Sequence, residues 1–365
     1  MKNKKIFIPL LLILLAVIIV GIIIYPTKKE PEVIKIGAIL PLTGELSMFG
    51  GWLKEGIDYA IKEQNVKNIE IIYEDNQGQI SKAVSAFHKL STIDKVRAII
   101  TAQTPIANAL LPLANSNKTF TIFTFADLPK GNKEYVLNYH FPVYDEVKTL
   151  AKFAYEKLGR KGAILVVNDE FGRISSDFFE KEFNGEIIYK ETFPNFQKDF
   201  RSLVSLVENK NPDFIFLIAY TQQLVELTKA IKEANVKFPI IGPNVLTVYL
   251  PLIKEYLEQA YFTMSLYDAG KSPGGLYENF ITTYKREVGK DPNMVIAEAY
   301  EATKILLKAL SYSESNLSKF FDDLKTVESV FGKLVIDEER QAHFPLAVME
   351  IKNGEKTKIV WEFNP

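Results

Sequence analysis

The sequence predicts an α/β protein of two doubly wound parallel-sheet lobes, and three observations carry that reading. Short β-rich runs alternate with amphipathic helical patterns in strand–helix–strand units of roughly 30 residues, which is how parallel strands are joined. The pattern restarts after the segment Tyr139-His140-Phe141-Pro142-Val143. With 365 residues, the chain is too long for one compact core and suits two lobes plus a tail.

Taken in order, residues 6–25 read IFIPLLLILLAVIIVGIIIY, twenty residues without a charge. A helix of that length spans about 30 Å, the thickness of a bilayer core. Lys2, Lys4 and Lys5 precede it, so the N-terminus is expected to stay cytoplasmic and the body to be exported. The run exceeds a usual signal-peptide core, and no small-x-small site follows Tyr25, so it reads as an uncleaved anchor; a removed signal is the alternative. Residues 26–33 (PTKKEPEV) form a short tether.

Strands are expected at 34–40, 69–73, 96–101 and 119–124, with helices between them. In the first helix Leu53, Ile57, Ala60 and Ile61 share a face, while Lys54, Glu55, Asp58 and Lys62 point away. After the restart come a helix at 145–158 and strands at 162–167, 186–189, 213–219, 239–241 and 259–264. Two long helical patterns follow at 275–288 and 294–310. The chain closes in β-like runs at 331–336, 346–351 and 356–362, the last two joined by Asn353-Gly354, a type I′ hairpin signal.

Composition narrows function. Lys+Arg number 44 against 45 Asp+Glu, and without the three lysines before residue 6 the body is mildly acidic, so no basic field is present to attract nucleic acid. With no cysteine, disulfides, thiolate catalysis, Cys-ligated zinc and a lipidated-cysteine anchor are excluded. His88, His140 and His343 lie far apart without a partner at ligand spacing and read as exposed or satisfied rather than metal-binding. Gly270-Lys271-Ser272 imitates the end of a phosphate loop, but Ser265 stands where the first glycine is needed. The pairs Asp322-Asp323 and Glu338-Glu339 read as solvated surface, and no Gly-x-Ser-x-Gly elbow occurs. No enzyme activity and no cofactor are expected. The sequons at Asn117 and Asn316 read as chance.

The stretch 34–61 combines a strand, Pro41-Leu42-Thr43-Gly44, then Gly50-Gly51 before a helix carrying Gly56 and Ala60. Tyr73-Glu74-Asp75-Asn76, Ala83 and Asn168-Asp169-Glu170-Phe171-Gly172 follow. Tyr284 to Pro292, Ala299-Tyr300-Glu301-Ala302, Phe331-Gly332 and Val335-Ile336-Asp337 complete the set. In this order and spacing, across about 34–360, the chain resembles type I periplasmic solute-binding proteins of the branched-chain amino-acid ABC transporter class. The resemblance implies two lobes joined by three crossings. Lobe 1 would be 34–142 plus 267–329 and lobe 2 would be 143–266 plus 330–365, with a ligand trapped in the cleft between them.

Carried over residue by residue, the resemblance implies a ligand site at the strand-end loops. Gln103 and Thr104 stand where the family commonly has a serine pair for the ligand's carboxylate, at a helix start that offers N–H groups; a plain helix cap is the alternative. Ala126 would present its backbone. Asp127 replaces a threonine, and a carboxylate there attracts an amine or amide N–H, or else caps a turn before Pro129. Phe171 resembles the family's stacking aromatic, Tyr220 would be a second wall and Phe49 would close the mouth, unless these rings are plain packing. Asn244 follows Gly242-Pro243 where many relatives have an acid. The altered clamp implies an amino acid, an amide, a modified amino acid or another small polar solute. The partners implied are an ABC permease and, through 6–25, the extracytoplasmic face of the membrane; a cleaved product would be secreted or periplasmic. A ligand-sensing ectodomain signalling through a partner membrane protein is the competing reading.

Overall fold

The computed structural model describes residues 33–365 except 67, 195 and 313–315. The apolar segment 6–25 and its expected membrane helix therefore lie outside the described residues. The first sheet has five parallel strands: β1 (Ile34–Leu40), β2 (Ile69–Asp75), β3 (Ala98–Ala102), β4 (Phe120–Thr124) and β5 (Val136–Asn138), in the order β2-β1-β3-β4-β5. β1 begins where expected, and β2 runs two residues further. β5 was not anticipated, being three residues in a turn-rich stretch too short to show a period.

Alternation along these strands sorts the core. Ile36, Ala38 and Leu40 with Ile100 and Ile122 face helix α1 (Ser47–Gln64). Ile39, Ile99 and Phe123 face the opposite side, against α2 (Ile80–His88) and α3 (Thr104–Ser116). Leu53, Ile57 and Ala60 of α1 are buried as their spacing requires.

The second sheet repeats the plan. The strands β6 (Lys161–Val167), β7 (Glu186–Phe193), β8 (Phe214–Ile218), β9 (Ile240–Gly242) and β10 (Gln259–Ser265) are parallel, in the order β7-β6-β8-β9-β10. The strand order 2-1-3-4-5 is thus the same in both sheets. Helices α4 (Val143–Phe153), α5 (Glu170–Glu182), α6 (Arg201–Lys210) and α7 (Thr221–Glu233) connect these strands, followed by the short α8 (Val245–Val248) and α9 (Leu250–Ile253). Past Phe153, the helix expected to run to residue 158 continues as a π-helical turn, Ala154–Leu158.

After β10 the chain returns to the first sheet with α10 (Gly275–Val288) and α11 (Met294–Ala309), then α12 (Leu317–Asp322). A small antiparallel sheet follows: β11 (Thr326–Ser329), β12 (Gly332–Ile336) and β13 (Ala342–His343). The chain ends with β14 (Leu346–Lys352) and β15 (Glu355–Phe363), added antiparallel to the second sheet. Asn353 (φ 51°) and Gly354 (φ 76°) are both left-handed, the type I′ geometry expected of that pair.

Three segments therefore run between the sheets, around 139–142, 266–274 and 323–345. The first and third are tied: Asn138 Nδ2 donates to Gln341 Oε1 at 2.7 Å, and Gln341 Nε2 donates to the His140 carbonyl at 2.5 Å.

α1 and α11 pack against each other closely, and Gly56 permits it. A Cβ there would lie 2.3 Å from the Ile296 carbonyl oxygen and 2.8 Å from the Ala299 Cβ. Gly56→Val should destabilise the protein by roughly 1–3 kcal/mol in urea unfolding, because backbone cannot retreat as a side chain can. An unchanged midpoint would show that the two helices separate without cost.

Candidate functional site

A 2-1-3-4-5 order has one point where successive connections leave toward opposite faces of the sheet, and the loops there part to leave a crevice beyond the strand ends. In the first sheet that point lies between β1 and β3. The loop after β1 leads to Phe49, and the loop after β3 is Gln103-Thr104. In the second sheet it lies between β6 and β8, whose loops carry Asp169–Phe171 and Tyr220. Five of the eight candidate residues, Phe49, Gln103, Thr104, Phe171 and Tyr220, thus sit at the two crevices.

The first-sheet loops are held by specific contacts. Asp75 Oδ1, at the end of β2, accepts from the N–H groups of Leu42 (2.9 Å), Thr43 (3.2 Å) and Gln77 (3.0 Å), fixing the loop that leads to Phe49. Phe49 meets Phe125 edge-on, with ring centroids 5.3 Å apart. Gln103 has φ 81° and Phe125 φ 48°, a left-handed backbone at two non-glycine residues on neighbouring strand ends. Such strain persists only where surrounding contacts impose it. Here Gln103 N–H donates to the Thr124 carbonyl (3.2 Å), and Phe125 N–H donates to Glu298 Oε1 (3.1 Å).

Gln103 and Thr104 do not act as a side-chain cap of α3. Gln103 Oε1 is buried without a donor, and Thr104 Oγ1 accepts the Asp127 N–H at 3.0 Å. Ala126 is buried and its carbonyl accepts from Asn138 Nδ2 at 2.8 Å, so that carbonyl is already engaged. Asp127 makes no turn cap before Pro129; its Oδ1 accepts the N–H of Val143, the first residue of α4, at 3.1 Å. Burial raises the Asp127 carboxyl above its usual range, while His140 and the Val143 N–H pull it back.

On the second sheet, Asp169 caps α5 by accepting the Gly172 N–H at 2.7 Å, which sets Phe171 on the first turn of the helix. Gly172 is required there, because a Cβ would fall 2.2 Å from the Val167 carbonyl oxygen. Phe171 and Tyr220 are both half-buried against the second core. Burial, and then the neighbouring Asp169 carboxylate, raise the Tyr220 phenol, keeping it a donor at neutral pH. Asn244 is placed differently: its backbone N–H donates to Glu146 Oε1 at 2.8 Å, and its carbonyl accepts from the Thr247 hydroxyl at 2.7 Å. Among the described residues, no hydrogen bond, ion pair or ring contact joins Phe171 or Tyr220 to the first-sheet group.

A family model described as periplasmic binding protein matches residues 33–356. The chain belongs to the periplasmic binding protein family. Within it, the chain is similar to Leu/Ile/Val-binding protein homolog 3 of Brucella melitensis, 22% identical over 329 residues that cover 84% of this chain and 87% of that one. In structure it is similar to a leucine-binding protein from Thermotoga maritima, with TM-score 0.74, 23% identity, and 91% of this chain and 99% of that chain covered. It is also similar to an ABC-transporter solute-binding protein from Rhodopseudomonas palustris in complex with 3,4-dihydroxybenzoic acid, with TM-score 0.71, 22% identity, and 92% and 98% covered. By their names, these relatives are solute-binding proteins.

For a binding protein, the residues that sequence reasoning passed over matter as much as those it chose. His140 is paired with the fully buried Glu298, Nδ1 lying 3.0 Å from Oε2, and its ring stacks on Phe141 with centroids 4.4 Å apart. Glu146 is buried and accepts both the Asn244 N–H and the Thr263 hydroxyl (2.7 Å) on Oε1. Both acids had a legible signal. Glu146 falls on the apolar stripe of Val143, Val147 and Leu150, and Glu298 interrupts the nearly unbroken apolar run of α11. A carboxylate on a buried face must find partners. His343 is satisfied too, between Asp145 (2.6 Å) and Asp337 (3.1 Å), while His88 is exposed.

Burial lowers the His343 imidazole, but Asp145 and Asp337 overcome this and push it up to about 9. A histidine raised above its unfolded value contributes stability that is complete below about pH 6.5 and is lost as pH climbs through 9. Urea unfolding from pH 6 to 9.5 should therefore show a loss of order 1–3 kcal/mol that His343→Gln abolishes. Parallel pH profiles for the two proteins would contradict this assignment.

Proposed function

We propose that this protein is the extracytoplasmic substrate-binding component of an ABC importer, capturing an amino acid or related small polar solute between two closing lobes. The lobes would be 34–142 plus 267–329 and 143–266 plus 330–365, hinged at the three crossing segments. One observation carries the reading: both sheets have the same strand order, and both bring aromatic and polar side chains to the loops at their switch points. Phe49, Gln103, Thr104 and Asp127 contact the solute from lobe 1, and Phe171 and Tyr220 from lobe 2. Ala126 and Asn244 act indirectly, by setting Asn138 and Glu146. Relatives named for leucine, isoleucine and valine, and a neighbour holding a dihydroxybenzoic acid, support a small solute with an apolar body and polar head. Closure would complete a site that neither lobe builds alone.

Calorimetry against amino acids, their amides and hydroxybenzoates, with small-angle scattering of free and loaded protein, tests this directly. A bound solute should shrink the radius of gyration, and Phe171→Ala or Tyr220→Ala should each weaken binding about tenfold or more, roughly 1.4 kcal/mol. The reading fails if no polar metabolite in a broad panel binds or compacts the protein.

Residues 6–25 would hold the body at the outer face of the membrane. The full chain should then sediment with membranes, whereas a chain beginning at residue 33 should remain in the supernatant and keep its solute affinity. Equal partition of both would refute the anchor.

A further inference from the structure

The region around His140, on the first crossing, is crowded with carboxyl groups. Glu298 is bonded to the His140 imidazole, which also feels the Asp127 and Glu146 carboxyls. One imidazolium cannot balance three carboxylates. Among the described residues, the only cationic group within 4.0 Å of any of them is His140, on Glu298. Charge buried without a partner is costly, so a protein tolerates it where a proton or a positive ligand completes the set.

Two of these carboxyls have an oxygen to offer. Asp127 uses Oδ1 for the Val143 N–H, and among the described residues its Oδ2 has no donor. Glu146, only 4% exposed, uses Oε1 for both of its donors, which leaves Oε2 with none. Neither oxygen is sealed into the core as an orphan. A third acceptor, Gln103 Oε1 on the adjoining strand-end loop, is buried without any donor. Glu146, on α4, feels the Asp127 carboxyl from the loop after β4, and Asp127 takes the N–H of Val143 at the start of that same helix.

We propose that the cleft takes solutes carrying a protonated amine and no free carboxylate, with the ammonium held between Asp127 of lobe 1 and Glu146 of lobe 2. This rests on the cleft being the binding site, and it narrows the class of solute. An ammonium brings three donors to a set of unfilled acceptors and supplies the missing positive charge, whereas a carboxylate would meet like charge. Burial pushes the Glu146 carboxyl up to about 7 against the lowering influences of Asn244, Thr263 and His140.

The test uses four probes with one apolar body and different head charges: leucinamide, isoamylamine, leucine and 4-methylpentanoate. By calorimetry, leucinamide and isoamylamine should bind at least tenfold tighter than leucine, and 4-methylpentanoate should not bind. Asp127→Asn and Glu146→Gln both keep the oxygen that serves the backbone, so melting should change little while each raises the Kd for leucinamide at least tenfold. The amine assignment is overturned if leucine or 4-methylpentanoate binds as tightly as leucinamide, or if both variants leave its Kd unchanged. In that event, compaction on leucine or 4-methylpentanoate leaves the binding function standing. Silence from all four probes, with compaction on some other solute, also overturns the amine assignment; silence from every solute overturns the binding function as well.

Discussion

Everything in this molecule depends on a property of parallel sheets: each strand ends on the same edge as its neighbours, and a helix must carry the chain back before the next begins. With the order 2-1-3-4-5, the connections leaving two adjacent strands go to opposite faces, and the gap between them is a crevice no helix fills. The chain makes this arrangement twice. Each sheet then offers its crevice loops as a rim, and a site can be shared between rims only if the sheets stay linked yet movable. Three crossing segments provide the linkage. The Asn138–Gln341–His140 bonds tie the first crossing to the third.

The same crossings carry the unusual electrostatics. His140 lies on the first, paired with Glu298, and His343 on the third, between Asp145 and Asp337. Around His343, Asp145 and Asp337 each bond a ring nitrogen, which ties α4 to the third crossing. Around His140 only Glu298 bonds the ring, and among the described residues Asp127 and Glu146 each keep an oxygen without a donor. Rings extend the connection outward, from Phe141 through His140 and Phe125 to Phe49 at the rim.

Much of the fold was legible before any coordinates. Strand β1, the helix at 275–288 and the Asn353-Gly354 hairpin were read to within a residue or two, because hydrophobic period and turn chemistry are local. The glycines of the opening motif also have local expression but non-local cause: Gly56 is required by the Ile296 carbonyl, which lies far away in sequence. β5 escaped because three residues cannot display a period. The pairing of Glu298 with His140 escaped because it joins residues 158 positions apart.

By itself, the sequence determined the α/β class, the two-part organisation, most strands and helices, and the loops that reach the crevices. The class, the organisation and the elements follow from the spacing of apolar residues and from turn preferences that act over a few positions, and the loops from the resemblance to a known family. Only the tertiary structure decided which loop residues have a contact to spare. Ala126 and Asn244 spend backbone groups inside the protein, Gln103 and Thr104 leave the helix uncapped, and the Glu146 carboxyl takes the Asn244 N–H and the Thr263 hydroxyl. Those outcomes depend on which distant groups come within hydrogen-bonding reach, and a linear order of residues does not encode such distances locally.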